Sequence, residues 1–169
     1  MAGHRVKIEK WNVRRKIMTD VNDTLPAVTV KDSAGNDVAL GALKGPFVFY
    51  FYPKADTPGC TNEAKDFTEL QGEFTKAGAT VYGMSKDKPA KLAKFADKYG
   101  LKVSLLSDEE SDATEKMGAW VEKSMYGKKY MGIERCTFLI GKDGKVARVW
   151  HNVKVKGHAA EVLEAVKAL

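Results

Sequence analysis

FVFYFYPKADTPGC, residues 47–60, is the stretch on which the fold turns. Six consecutive β-favouring apolar residues, Phe47 to Tyr52, stand between Pro46 and Pro53, the pattern of a strand covered on both faces. Beyond the second proline, Ala64, Phe67, Leu70, Phe74 and Ala77 recur at helical spacing until Gly78 stops the series. One helix over about 58–76 is therefore predicted. A buried strand that enters a helix through a proline-bounded loop is the seed of an α/β domain, and Cys60 sits where loop becomes helix.

Working outward, the pattern alternates. Val28–Val30 and Val38–Leu40, separated by KDSAGN, read as an N-terminal hairpin. Downstream come a strand over Thr80–Met84, a helix over Pro89–Tyr99 with Leu92, Phe95 and Tyr99 inward, a short strand over Val103–Leu106 and a short helix around Ala113–Met117. A polar, glycine-containing connection is expected up to Gly132. Arg135–Ile140 and Val146–Trp150 then flank GKDGK as a second hairpin. After Gly157, a last helix carries Val162, Leu163, Val166 and Leu169 as its apolar stripe. No internal repeat or low-complexity segment interrupts this single α/β domain.

The chain has 169 residues, 44% hydrophobic and 30% charged, and a net charge of +6. That is enough chain for a core without disulfide or metal staples. The charge is uneven: residues 1–18 carry Arg5, Lys7, Lys10, Arg14, Arg15 and Lys16 against Glu9, a net +5. The remaining 22 bases and 21 acids leave the body at +1. A basic tail on a neutral body argues against a nucleic-acid groove, which needs its bases on the folded surface. Residues 1–23 are read as a basic, poorly ordered extension, with an organelle-targeting leader as the alternative, and residues 24–169 as the folded domain. No run approaches the roughly 18 apolar residues of a membrane span. Two cysteines without metal-type spacing favour a reducing, cytoplasmic compartment. No metal or organic cofactor is expected, and His4, His151 and His158 read as solvated surface residues.

Taken alone, a cysteine is more often a small core residue than a reagent. Position changes that for Cys60, because unpaired N–H groups and the positive end of the dipole at a helix start stabilise a thiolate. Thr57, three residues earlier, offers a hydroxyl, and Pro53 and Pro58 restrict the loop that holds both. Arg135, taken alone, is a solvated strand-end residue, and Glu63 is a charge that complements a helix start.

Pro53, Thr57 and Cys60 reproduce the PxxxTxxC motif, and by it the chain resembles the peroxiredoxins. TPGCTNEA over 57–64, SMYGKKYMGIERCTFLI and KVKGHAAEVL are similar to the bacterioferritin-comigratory, or peroxiredoxin Q, branch. The resemblance implies a thioredoxin-like fold, a central mixed β-sheet flanked by helices with an N-terminal β-hairpin. It also implies an antioxidant thiol-dependent peroxidase whose Cys60 thiolate attacks peroxide and becomes a sulfenic acid. By the same matching, Thr57 hydrogen-bonds the peroxide, Pro53 shields the pocket, Arg135 stabilises thiolate and developing charge, and Glu63 orients Arg135. The reaction needs an aligned peroxide and donors aimed at oxygen charge, so these roles make chemical sense.

The chain departs from the branch in its recycling. Where many members carry a resolving cysteine five residues after the first, Lys65 stands, and the segment Lys91–Lys98, which resolves in another subgroup, has none. Cys136 alternates with Arg135, so if the arginine enters the pocket the cysteine faces away with Phe138 and Ile140. A one-cysteine cycle follows, with an external thiol such as thioredoxin, glutaredoxin or a small thiol as reductant, hydrogen peroxide and organic hydroperoxides as substrates, and a monomeric protein. The alternatives are a two-cysteine cycle using Cys136, a peroxide sensor or thiol relay with little turnover, and a noncatalytic thioredoxin-like binding module.

Overall fold

A computed structural model describes residues 19–169. The basic segment 1–18, with His4 and Trp11, lies outside the described residues. The strands are β1 (Thr29–Asp32), β2 (Asp37–Ala39), β3 (Phe47–Phe51), β4 (Thr80–Ser85), β5 (Ser104–Ser107), β6 (Trp120–Met125), β7 (Lys128–Ile133), β8 (Cys136–Ile140) and β9 (Val146–Trp150). The helices are α1 (Pro58–Glu69), α2 (Gln71–Lys76), α3 (Pro89–Tyr99), α4 (Ala113–Lys116) and α5 (His158–Lys167). Seven strands form one mixed sheet in the order β2-β1-β5-β4-β3-β8-β9. β3, β4 and β5 run parallel, and β8 lies antiparallel to both β3 and β9.

The apolar run at 47–52 is the centre of this sheet. Because successive strand residues face opposite sides, Val48, Tyr50 and Tyr52 enter one core with Phe67, Phe74, Leu92, Phe95 and Val162, which come from α1, α2, α3 and α5. Phe47, Phe49 and Phe51 enter the other core with Leu40, Ala113, Met117, Ile133 and Phe138. Tyr50 stacks on Phe67 at 4.8 Å between ring centroids. It fits only because its partner across the ladder is Gly83, where a Cβ would lie 2.7 Å from the ring.

Four expectations are corrected. The helix over 58–76 is two helices, because Leu70, at φ −93° and ψ 2°, ends α1. The apolar rhythm runs through the break since both pieces face the same core. The polar connection before Gly132 is a hairpin, β6–β7, closed by Tyr126 and Gly127 at φ 51° and 78°. Most of its side chains are exposed, so no apolar alternation announced it, and its turn uses tyrosine in a left-handed position more typical of asparagine. Leu169 is exposed, lying past the last helical residue. His158 is buried rather than solvated: it packs edge-on against Phe67 and Trp150 and shares a 2.8 Å hydrogen bond with the Thr137 hydroxyl. Burial accordingly lowers its pKa to about 4. At the other end, the last residues assigned to the extension already touch the body, since Asn22 N–H donates to the Val146 carbonyl and Val146 N–H to that of Asp23.

Candidate active site

The loop from β3 to α1 is held by polar contacts on both sides. Ala55 N–H donates to the Asp87 carboxylate at 2.7 Å. Asp56, in the left-handed region at φ 62°, accepts from the Tyr99 hydroxyl at 2.6 Å and pairs with Lys98 at 3.0 Å. These two partners on α3 hold the Asp56 carboxyl below its usual range. The Thr57 hydroxyl donates to the Lys54 carbonyl at 2.7 Å. Its proton is thus committed to the loop, and what Thr57 offers a peroxide is an acceptor for the peroxide O–H. Thr57 stands at the N-cap position of α1 with no side-chain cap hydrogen bond, Pro58 fills the first helical position where a missing N–H costs nothing, and Cys60 is third in the helix. N–H groups of that first turn have no carbonyl within the helix, so they and the dipole favour negative charge at the sulfur.

Cys60 is buried in the helix-covered core. Arg135 arrives from the start of β8 and donates with Nη2 to Cys60 Sγ at 3.4 Å and with Nη1 to Glu63 Oε1 at 2.7 Å. One planar guanidinium is therefore shared between the sulfur and a carboxylate one helical turn away. Gly59 makes room for it: a Cβ there would stand 3.2 Å from Arg135 Nη2. The two ends of the ion pair differ in environment. Glu63 is 1% exposed, and its Oε2 has no protein partner. Burial raises its pKa to about 7 despite the opposing pull of Arg135. Arg135 keeps partial solvent access, and although burial opposes its charge, Glu63 and Cys60 together raise its pKa.

Cys136 lies on the opposite side of the sheet. It joins Phe138 and Ile140 in the second core and pairs in register with Phe51. Burial pushes its thiol far above the ordinary range, with Glu134 and Glu63 adding to the rise. The facing predicted from strand alternation is thus the one observed, and a Cys60–Cys136 bridge would require β8 to leave its ladder.

The structure brings Cys60, Glu63 and Arg135 together, with Thr57 at the head of the same helix, its hydroxyl turned to the Lys54 carbonyl, and Pro53 half-buried at the start of the loop. Reasoning from sequence missed Gly59, Asp56, Asp87, Lys98 and Tyr99. Gly59 adjoins the cysteine and could have been suspected from that alone. The others act across gaps of 32 to 43 residues that no local pattern reveals.

Comparison with known proteins agrees with this geometry. Residues 21–149 match the AhpC/TSA family, and the chain belongs to it. It is 44% identical over 146 residues to peroxiredoxin Bcp of Escherichia coli, covering 86% of this chain and 94% of that one. To peroxiredoxin Bcp of Bacillus subtilis it is 42% identical over 149 residues, covering 88% and 95%. The structure of the Xanthomonas campestris bacterioferritin comigratory protein, studied for its alkyl peroxide reduction, superposes with a TM-score of 0.81. It shares 42% identity over 88% of this chain and 98% of that one. The mixed sheet flanked by helices is the thioredoxin-like peroxiredoxin fold, and the activity is that of a thiol-dependent peroxidase, which acts on peroxide with a thiol reductant.

Proposed function

We propose that Cys60 is the peroxidatic nucleophile of a one-cysteine cycle acting on hydrogen peroxide and small organic hydroperoxides. The observation that carries this reading is the Arg135 guanidinium, placed at once on Cys60 Sγ and on Glu63. The thiolate attacks the terminal peroxide oxygen in line with the O–O bond. A sulfur–oxygen bond forms, the O–O bond breaks, and both electrons of that bond leave on the distal oxygen. That oxygen takes a proton and departs as water or alcohol, while cysteine is oxidised to sulfenic acid. Arg135 faces the charge that shifts from sulfur to oxygen, and the Thr57 oxygen accepts from the peroxide O–H and fixes its approach. Pro53 screens the loop side, and Glu63 acts through Arg135.

An external thiol then attacks the sulfenic sulfur and releases water, and a second thiol reduces the mixed disulfide. Separation of Cys60 and Cys136 onto opposite faces of the sheet supports an outside reductant, with thioredoxin, glutaredoxin or a small thiol in that role. A cytoplasmic, monomeric protein completes this reading.

Peptide mapping of reduced protein after one equivalent of hydrogen peroxide, with a sulfenic-acid trap present, tests it. Trapped adduct confined to Cys60 is the expected result. A Cys60–Cys136 disulfide would overturn the one-cysteine cycle, and a Cys60 left reduced would overturn its role as nucleophile.

A further inference from the structure

The parallel strands β3, β4 and β5 end side by side, and a polar seam runs across their carboxyl ends, where open α/β sheets place their sites. Asp87, just past the end of β4, is its centre. One carboxylate oxygen, Oδ2, accepts from the Ser85 hydroxyl and from Ala55 N–H, each at 2.7 Å, and the other pairs with Lys91 at 3.2 Å. Its backbone is held as well: Asp87 N–H donates to Ser85 Oγ at 3.3 Å, and its carbonyl accepts from the Ser107 hydroxyl. Ser85 and Ser107 are buried, so β4, β5 and α3 set the carboxylate in place independently of the loop it holds.

Ala55 N–H and the Lys54 carbonyl belong to one planar peptide group and point opposite ways. Asp87 takes the N–H, and the Thr57 hydroxyl donates to the carbonyl at 2.7 Å. Carboxylate, peptide and hydroxyl thus form a single chain of hydrogen bonds that ends on the Thr57 oxygen. An anionic acceptor on one side of a peptide polarises it and strengthens the bond that its carbonyl accepts. Asp56, the next residue, stands at φ 62°, in the left-handed region that favours glycine, so the turn depends on what holds it. Asp87 holds it from the N-terminal side, and Tyr99 and Lys98 hold it through the Asp56 carboxylate.

We propose that Asp87 is a positioning residue for the peroxidase reaction, holding the Lys54–Ala55 peptide so that the Thr57 proton stays on the loop and the Thr57 oxygen is free to accept the O–H of the peroxide that Cys60 attacks. This rests on the reading of Cys60 as nucleophile and of Thr57 as acceptor for the peroxide. The chemical step is the one already given. Asp87 acts only through Thr57, so its removal costs peroxide reduction and leaves other reactions of the thiolate unchanged.

The test sets two reagents on one thiol in the full-length reduced protein: hydrogen peroxide, and iodoacetamide, which alkylates the same thiolate and offers no O–H to align. Both are read at Cys60 by peptide mapping of quenched samples. Asp87→Ala is expected to slow oxidation about tenfold, the scale of one lost hydrogen bond, with alkylation within about twofold of wild type. Asp87→Asn loses the charge that polarises the peptide but keeps an oxygen for Ala55 N–H; it is expected to slow oxidation about threefold, and it carries the same test if the alanine variant does not fold. Thr57→Val removes the acceptor and slows oxidation about 100-fold, and in that background neither Asp87 variant slows it further. Oxidation and alkylation slowed alike, oxidation unchanged, or an equal further loss in the Thr57→Val background would overturn the proposal. A wild type whose Cys60 is alkylated but never oxidised would instead overturn the reading of Cys60, and a Thr57→Val variant as fast as wild type that of Thr57, so these failures are distinguishable.

Discussion

Replacing Glu63 by glutamine removes a charge and keeps the oxygen to which Arg135 donates. In the folded protein Glu63 titrates near 7 rather than 4.5, because burial outweighs the attraction of Arg135. The sign follows directly. Between those two values the folded state holds a proton that the unfolded state has lost, so stability falls as pH rises from 4.5 through 7. At 1.36 kcal/mol per unit, the full cost of ionising Glu63 is about 3 kcal/mol. His158 works in the opposite direction. Its pKa is lowered to about 4, so the stability that rests on its neutral form is complete above the unfolded value of 6.5 and is lost as pH falls through 4. In the wild type the two slopes oppose each other over much of the same window. In Glu63→Gln only that of His158 remains. Urea unfolding of the reduced protein, followed by far-UV circular dichroism at about pH 4 and about pH 8, measures both. The change in stability between these pH values is expected to differ between variant and wild type by about 3 kcal/mol, the variant gaining with pH. Taking the difference cancels any constant cost of the substitution. Parallel pH profiles, or a wild type that gains on the variant as pH rises, would refute the reasoning and show that the ion pair outweighs burial.

Three further outcomes are expected. Arg135→Met removes the donor aimed at sulfur and leaving oxygen and should slow Cys60 oxidation by hydrogen peroxide about 100-fold, the scale for one lost transition-state donor; a loss under about threefold in stopped-flow measurements would remove Arg135 from the chemistry. Gly59→Ala should separate rate from stability. Its Cβ crowds Arg135 Nη2 and slows oxidation by about tenfold, while alanine in a helix holds or raises the unfolding free energy, by up to about 1 kcal/mol of propensity. Equal rates for Gly59→Ala and wild type would show that the guanidinium tolerates displacement. His158→Leu strands the buried Thr137 hydroxyl and should cost about 2 kcal/mol near neutral pH, with loss of the part of the acid limb between about pH 6.5 and about pH 4; urea denaturation decides this, and an unchanged slope over that window would assign it to another group.

Where a side chain lay on a face with strict periodicity, the sequence disclosed its place. The unbroken run at 47–52 announced a strand covered on both faces, and alternation along β8, once Arg135 was taken to enter the pocket, turned Cys136 away from Cys60. Residues 53–60 form a local pattern, so the cysteine, its threonine and its proline were legible, whereas Arg135 and Glu63 were placed by resemblance. What escaped had no local signature. The β6–β7 ladder is held by backbone hydrogen bonds with little burial, so the polarity of its side chains pointed to a loop. His158 opens a helix and looks solvated until the Thr137 hydroxyl meets it across the sheet. Asp56 reads as a loop residue, and its grip on α3 exists only once the chain has closed.

The placement of the two sulfurs on opposite faces of one sheet has a temporal consequence. In the one-cysteine cycle proposed above, an oxidised Cys60 would have no built-in clock. The lifetime of its sulfenic acid would be set by encounters with thiols outside the protein and would scale inversely with their concentration. When those thiols ran low, the oxidised form would persist until a second peroxide met it and carried the sulfur to the sulfinic state, which external thiols do not reverse. The fraction of chains arrested in that form would then record how far peroxide supply had outrun the surrounding thiol pool.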